Sequence, residues 1–274
     1  MTSNNSTQPI YRSPLRLKLG KAFYTSKRYL KWLFDSRQFA RRKDARLPYT
    51  CFAHETPLLR RLKDVDMILQ HNKVINLKIA VPKVSGIVLY PGETFSYWRL
   101  IGKPTRRKGY VKGMILQNGG FTAGTGGGLC QLSNLIYWMT VHTPLTVIER
   151  HRHGYDVFPD SNRTQPFGSG ATCFYNYGDL MIRNDTQSAF QLTVEVTDTH
   201  LKGMWLSDTL PEYGYVVYEK EHMIRSETGG GYSRHNLLYR HKLRLDGTVA
   251  DDEFVVENHA RMMYSPLLSQ ENGG

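Results

Sequence analysis

The residue types most able to do chemistry are gathered at Gly126-Gly127-Gly128-Leu129-Cys130. Glycine-dense backbone takes positive φ and approaches other groups closely. Behind the cysteine, Leu132, Leu135, Ile136 and Met139 recur at helical spacing, so Cys130 reads as the first residue of a helix. The positive end of a helix dipole favours a thiolate at that position. A thiol nucleophile needs a base, and His151 and His153 follow on a segment with β-branched alternation. With Arg152 between them, both point to one side of an extended backbone. His142 sits about three helical turns from Cys130, roughly 18 Å at ~1.5 Å per residue, and is not a direct partner. Asp156, Asp160 and Asp179 are candidate orienting carboxylates. Asp179 opens a strand after a glycine, in a position to lie beside the histidine strand.

Cysteine at a helix start, then histidine on a strand, then a polar orienter is the order of papain-like and transglutaminase-like thiol sites. The chemistry is acyl transfer: thiolate attack, a thioester, and resolution by an amine or water. The amides of Gly128 to Cys130 are the natural oxyanion donors. Gly126, Gly127, Gly128, Gln131 and Arg150 complete the expected substrate-binding set. The plain alternatives are a small buried hydrophobe for Cys130 and hydrogen-bonded sheet residues for His151 and His153. Zinc on Cys130, His151 and His153 lacks an accompanying CxxC or HxxxH. Gly-Leu-Cys-Gln stands where a phosphate-binding loop has Gly-Lys-Ser/Thr. The reading therefore names no metal and no cofactor. Cys51 and Cys173 have no partner motif and read as structural.

The elements that must position these groups follow from patterning. The chain has 274 residues, 40% hydrophobic and 22% charged, an ordinary globular composition. Its seventeen tyrosines fit a sheet-rich fold. A net charge of +12 suggests an anionic partner: nucleic acid, an anionic membrane face or an anionic wall polymer. Three cysteines define no disulfide framework and suit a reducing compartment. Residues 1–9 read as a disordered tail with no signal peptide. No apolar run is long enough to span a bilayer, so the expected location is cytoplasmic, at most peripheral to a membrane. Residues 10–84 read as a basic helical region, with helices near 14–24, 26–43 and 57–78, the last opened by Pro57. In 10–46, lysines and arginines interleave with Leu15, Leu19, Phe23, Leu30, Leu33 and Phe34. That segment either lies on an anionic membrane surface or, as amphipathic helices usually do, packs its apolar stripe on the main domain. Nucleic acid is the disfavoured partner. Strands are expected at 86–90, 110–117, 145–157, 171–175, 179–184, 190–196, 200–206 and 214–222. Asp246-Gly247 joins 236–245 to 249–256 as a hairpin. The fold class is α+β: a helical N-terminal segment, then a mixed or antiparallel sheet domain over 85–266 around a central helix starting at the glycine–cysteine loop, with a frayed tail at 267–274.

The chain also resembles the VanW family. The resemblance rests on Pro91-Gly92-Glu93-Thr94-Phe95-Ser96, Gly109-Tyr110, the run Gly126 to Leu135 with Tyr137, Glu149-Arg150-His151-Arg152-His153, and Gly178-Asp179-Leu180 leading to Asn184-Asp185-Thr186. It covers about residues 85–200. The family's namesake is an accessory product of B-type vancomycin-resistance clusters, so the resemblance implies a role in glycopeptide resistance or cell-wall metabolism. Some exported VanW-domain proteins act as L,D-transpeptidases through a cysteine. Carried onto this chain, the nucleophile is Cys130 and the partner a peptidoglycan peptide or precursor. Because the chain shows no export signal, three options stay open: a cytoplasmic precursor as substrate, a cryptic export route, or a site used only for binding.

Overall fold

The structure, a computed structural model, describes residues 13–60, 66–117, 119–157, 165–228 and 230–266. Both expected tails, and Asp160, lie outside the described residues. Pro14–Leu33 forms one helix, α1, with Ser13 accepting the Arg16 N–H at its start. It does not continue as the second helix expected over 26–43. Asp35 takes the Arg37 N–H and guanidinium, a local bond that competes with helix propagation. The chain then runs through isolated bridges, Phe39 to Thr94 and Lys43 to Ile87.

Strand β1 (Tyr49–Pro57) precedes helix α2 (Met67–Val84), which is the helix expected at 57–78 with a later start and a later end. Pro57 ends a strand, and the Leu58 N–H still bonds the Thr199 carbonyl 2.8 Å away. Asp66 caps α2 by accepting the Ile68 N–H. There follow β2 (Ile87–Leu89), β3 (Thr94–Ser96), α3 (Tyr97–Ile101), β4 (Lys112–Gln117), β5 (Gly120–Thr125) and α4 (Cys130–Thr140). Next come β6 (Thr146–Glu149), β7 (Tyr155–Asp156), β8 (Met181–Arg183), β9 (Phe190–Val196) and β10 (His200–Ser207). The last strands are β11 (Gly214–Ser226), β12 (Tyr232–Leu243) and β13 (Val249–Met262), the final two joined through Asp246-Gly247.

The strands form sheets ordered β1-β10-β9-β2, β11-β12-β13-β7 and β3-β8-β6, with a β4-β5 hairpin. Pairing is antiparallel except between β13 and β7. The fold is α+β, as its pattern implied. Strand β5 leads directly into the Gly126–Gly128 run. Residues 151–153 and 171–175 lie outside named strands; the Thr172 N–H bonds the His151 carbonyl, and Phe174 pairs with Gly178. Strand β1 pairs with β10, so the region expected to be helical before residue 84 contributes to the same core as the later strands.

Helix α4 runs through that core. Leu132, Leu135, Ile136 and Met139 are buried, and Trp205 on β10 donates its indole N–H to Thr140 3.1 Å away. A buried helix can be apolar over most of its circumference, so the start of α4 is anchored from behind. Among the described residues no helix is long and apolar enough to cross a membrane.

Candidate functional site

The loop ahead of α4 is held from three directions. Gly127 and Gly113 approach backbone to backbone, so a Cβ on Gly127 would stand 2.1 Å from the Gly113 oxygen. Asn76 on α2 donates to the Gly127 carbonyl at 2.9 Å and to Val111 O at 3.1 Å, and accepts the Val111 N–H at 2.9 Å. Lys73, one turn earlier, lies over Gly128, whose added Cβ would fall 2.2 Å from Lys73 Cγ. Gly126 faces Pro104 in the same way. The side-chain positions that these glycines leave open are thus filled by the protein itself, and the close packing alone requires glycine at 127. Gly127 and Gln131 donate their N–H groups to Gly124 and Gly128. The N–H groups of Gly128, Leu129 and Cys130 make no hydrogen bond to an acceptor elsewhere among the described residues. Those of Gly128 and Leu129 are orphan donors at the helix start, while that of Cys130 faces its own sulfur.

Cys130 is partly exposed. Burial pushes its thiol above the ordinary value, opposed by the Cys173 and Cys130 backbone N–H groups. The lowering expected from the helix dipole is therefore outweighed by desolvation. Cys173 is more deeply buried and its thiol is raised further. The two cysteines are brought together because the first turn of α4 is stitched to the 170–173 segment. Ser133 donates to Ala171 O at 2.6 Å, and Asn134 accepts the Ala171 N–H at 2.8 Å.

The histidines are engaged elsewhere, and neither makes a hydrogen bond to the Cys130 sulfur. His151 Nε2 lies 2.9 Å from Glu149 Oε1. The acceptor is a carboxylate, so this nitrogen carries the proton. His153 packs edge-on to Phe174 at 5.8 Å, and burial, with Arg152, lowers its pKa. His142 stacks on Phe52 at 4.0 Å and is pushed down by burial to about 4.

Asp179 is fully buried and does not meet a histidine. Its oxygens accept from the Ser96 hydroxyl at 2.5 Å and from the Trp98 and Leu180 N–H groups, each at 2.9 Å. It caps α3 rather than orienting a base. Burial raises its pKa to about 6 against those hydrogen bonds. Asp156 turns to the Tyr264 hydroxyl, 2.9 Å away. Arg150 is spent on the carbonyls of Gly168 and Gly170 and stacks over Tyr137. Gln131 donates to Thr56 Oγ1 and Pro57 O, both at 2.9 Å, and its buried Oε1 has no partner among the described residues.

Two residues outside the expected set stand out. Glu149 receives His151, both arms of Arg28 and the Asp179 N–H. Burial raises its pKa, but the His151 and Arg28 hydrogen bonds overrule that and hold it at about 2. Lys73 is buried, bonded to Gln70 Oε1 at 2.8 Å, and lowered by burial to about 8. Glu149 lies inside the Glu-Arg-His-x-His run, and Lys73 interrupts an apolar helix face; those were the signals for them in the sequence. A cavity of about 430 Å³ opens beside α1, walled by Trp32, Phe39, Trp98, Arg99 and Tyr175 among others. Ser96 borders it, but Cys130, His151, His153 and Asp179 do not.

Comparison with known proteins places this geometry in context. Residues 72–206 match the family described as VanW like protein. The chain is 34% identical over 218 residues to the Vancomycin B-type resistance protein VanW of Enterococcus faecalis (strain ATCC 700802 / V583), covering 80% of this chain and 79% of that protein. It is 32% identical over 109 residues to the Uncharacterized protein YoaR of Bacillus subtilis (strain 168), covering 40% of this chain and 34% of that protein. No solved structure matches.

Proposed function

The chain belongs to the VanW family, and from that premise we propose that it serves glycopeptide resistance by acting on peptidoglycan peptides through Cys130. One observation carries the reading: a partly exposed cysteine opens a helix, and the N–H groups of Gly128 and Leu129 just ahead of it have no backbone acceptor among the described residues. Such donors match an oxyanion. The Cys130 sulfur attacks a peptide carbonyl carbon, the oxyanion settles on these amides, and the amine leaves with a proton. An amine or water then resolves the thioester. His151 is the base best supported, because Glu149 holds its Nε2 and leaves Nδ1 available. Glu149 takes over the orienting role expected of Asp179. His151 must turn toward the thiol for this step.

A second reading is a non-catalytic module that holds a peptide or carboxylate on the same amides. The raised thiol pKa and the absence of a histidine hydrogen bond to Cys130 favour it.

A thioester-forming acyl probe is expected to label Cys130, and Cys130→Ala to abolish labelling while circular dichroism is unchanged. Labelling that survives Cys130→Ala rules out this nucleophile. Glycopeptide resistance that persists in Cys130→Ser but is lost in Lys73→Ala selects the binding module.

A further inference from the structure

Helix α1 carries its apolar stripe on the outside. At ~100° per residue, Leu15, Leu19, Phe23, Leu30 and Leu33 fall within an arc of about 80°. They are 66%, 61%, 62%, 57% and 75% exposed. The face that meets the body is roughly opposite. Arg28, buried, donates to Glu149 and to the Tyr177 carbonyl, and Trp32 lines the cavity beside it. Tyr24 contacts Tyr177 at 5.8 Å and fastens the same side. The arrangement reverses the usual one, in which an amphipathic helix buries its stripe on its own domain.

Charge identifies what the stripe fits. Pro14–Leu33 contains no Asp or Glu, and Arg16, Lys18, Lys21, Lys27 and Lys31 are all exposed. Arg16, Lys27 and Lys31 fall along one flank of the stripe, and Lys18 falls on the other. Pairing two copies through this face would set like charges together. Five large apolar side chains along the centre of the face do not suit a phosphate backbone.

We propose that α1 is an interfacial anchor. It lies in the plane of an anionic lipid bilayer with Leu15, Leu19, Phe23, Leu30 and Leu33 below the headgroups and Arg16, Lys18, Lys27 and Lys31 among them. Arg28 fixes the anchor to Glu149, so the body is held at the membrane in one orientation. The proposal stands independently of whether Cys130 turns over.

The test uses the full chain and vesicles of phosphatidylcholine with and without phosphatidylglycerol. The chain is expected to sediment with the anionic vesicles at least about tenfold more strongly than with the neutral ones. Salt should weaken that binding. The combined Leu19→Asp, Phe23→Asp and Leu30→Asp variant changes only exposed positions, so it should keep its circular dichroism and lose binding. Binding that is indifferent to that variant, to salt or to phosphatidylglycerol overturns the proposal. So does light scattering that shows a dimer dissolved by the same variant, because the stripe is then occupied by a second copy.

Discussion

Glu149 joins more of the site than any residue chosen from chemistry alone. It is the shared acceptor for His151, Arg28 and the Asp179 N–H, and only 16% of its side chain is exposed. Because its folded pKa lies below the usual carboxylate value, its stabilisation is full above ~4.3 and is lost as pH falls toward 2. Asp179 has the opposite sign. With its carboxyl raised to about 6, the native state binds the extra proton, so its contribution declines as pH rises from about 4 to 6. Glu149→Gln strips one partner from a buried ion pair and should cost about 3 kcal/mol near pH 7. Urea unfolding at stepped pH should show that cost shrinking below ~4.3. A cost that stays constant down to pH 3 would mean that the carboxylate's charge is not what matters. The thiol obeys the same competition. A helix start favours the anion, but desolvation penalises it more, and Cys130 rests protonated.

At the scale of elements, the junction of β5 with α4 is a packed joint rather than an open cradle. Its tolerance to a methyl group should vary by position in a way that glycine count does not foretell. Gly127→Ala brings a Cβ onto the Gly113 backbone, which cannot swing aside as a side chain can. Gly92→Ala meets nothing within 4 Å and bears only the strain of its φ of 79°. Gly92→Ala should therefore cost about 1 kcal/mol, and Gly127→Ala at least about 3 kcal/mol, as overpacking against rigid backbone does at its upper range. Equal midpoints of chemical denaturation for the two would contradict this account of the loop.

Across the whole molecule, α4 ties the candidate site to the fold. Its first turn presents Cys130, and its remaining turns fill the core between β1, β10 and the 171–173 segment. Leu135 is buried on that helix. Leu135→Ala should destabilise the protein by about 2–5 kcal/mol, depending on how far the site collapses. Tryptophan fluorescence, to which the buried Trp98, Trp138 and Trp205 contribute, and far-UV circular dichroism should report one shared transition. Separate transitions would show that α4 and the β1-β10 sheet do not unfold together.

What could be read from the sequence is what short-range physics controls. Three glycines ahead of an apolar helical repeat place Cys130 at a helix start, whatever surrounds it. Asp-Gly between alternating strands makes the β12-β13 hairpin, because few residues accept its backbone angles. The α+β class follows from the same local periodicities. Tertiary contacts between distant segments decided the rest. Arg28, 121 residues from Glu149, helps to hold that carboxylate charged. Ser96, 83 residues from Asp179, draws it onto α3. The helical period at 14–33 shows that a stripe exists, but periodicity cannot say which side meets the body. That depends on Arg28 and Trp32 finding their partners, and they turn the leucines outward. The opening pair of glycine loop and thiol is local, whereas the thiol's protonation, the partners of Asp179 and the direction of the apolar face are decided by burial and long-range pairing.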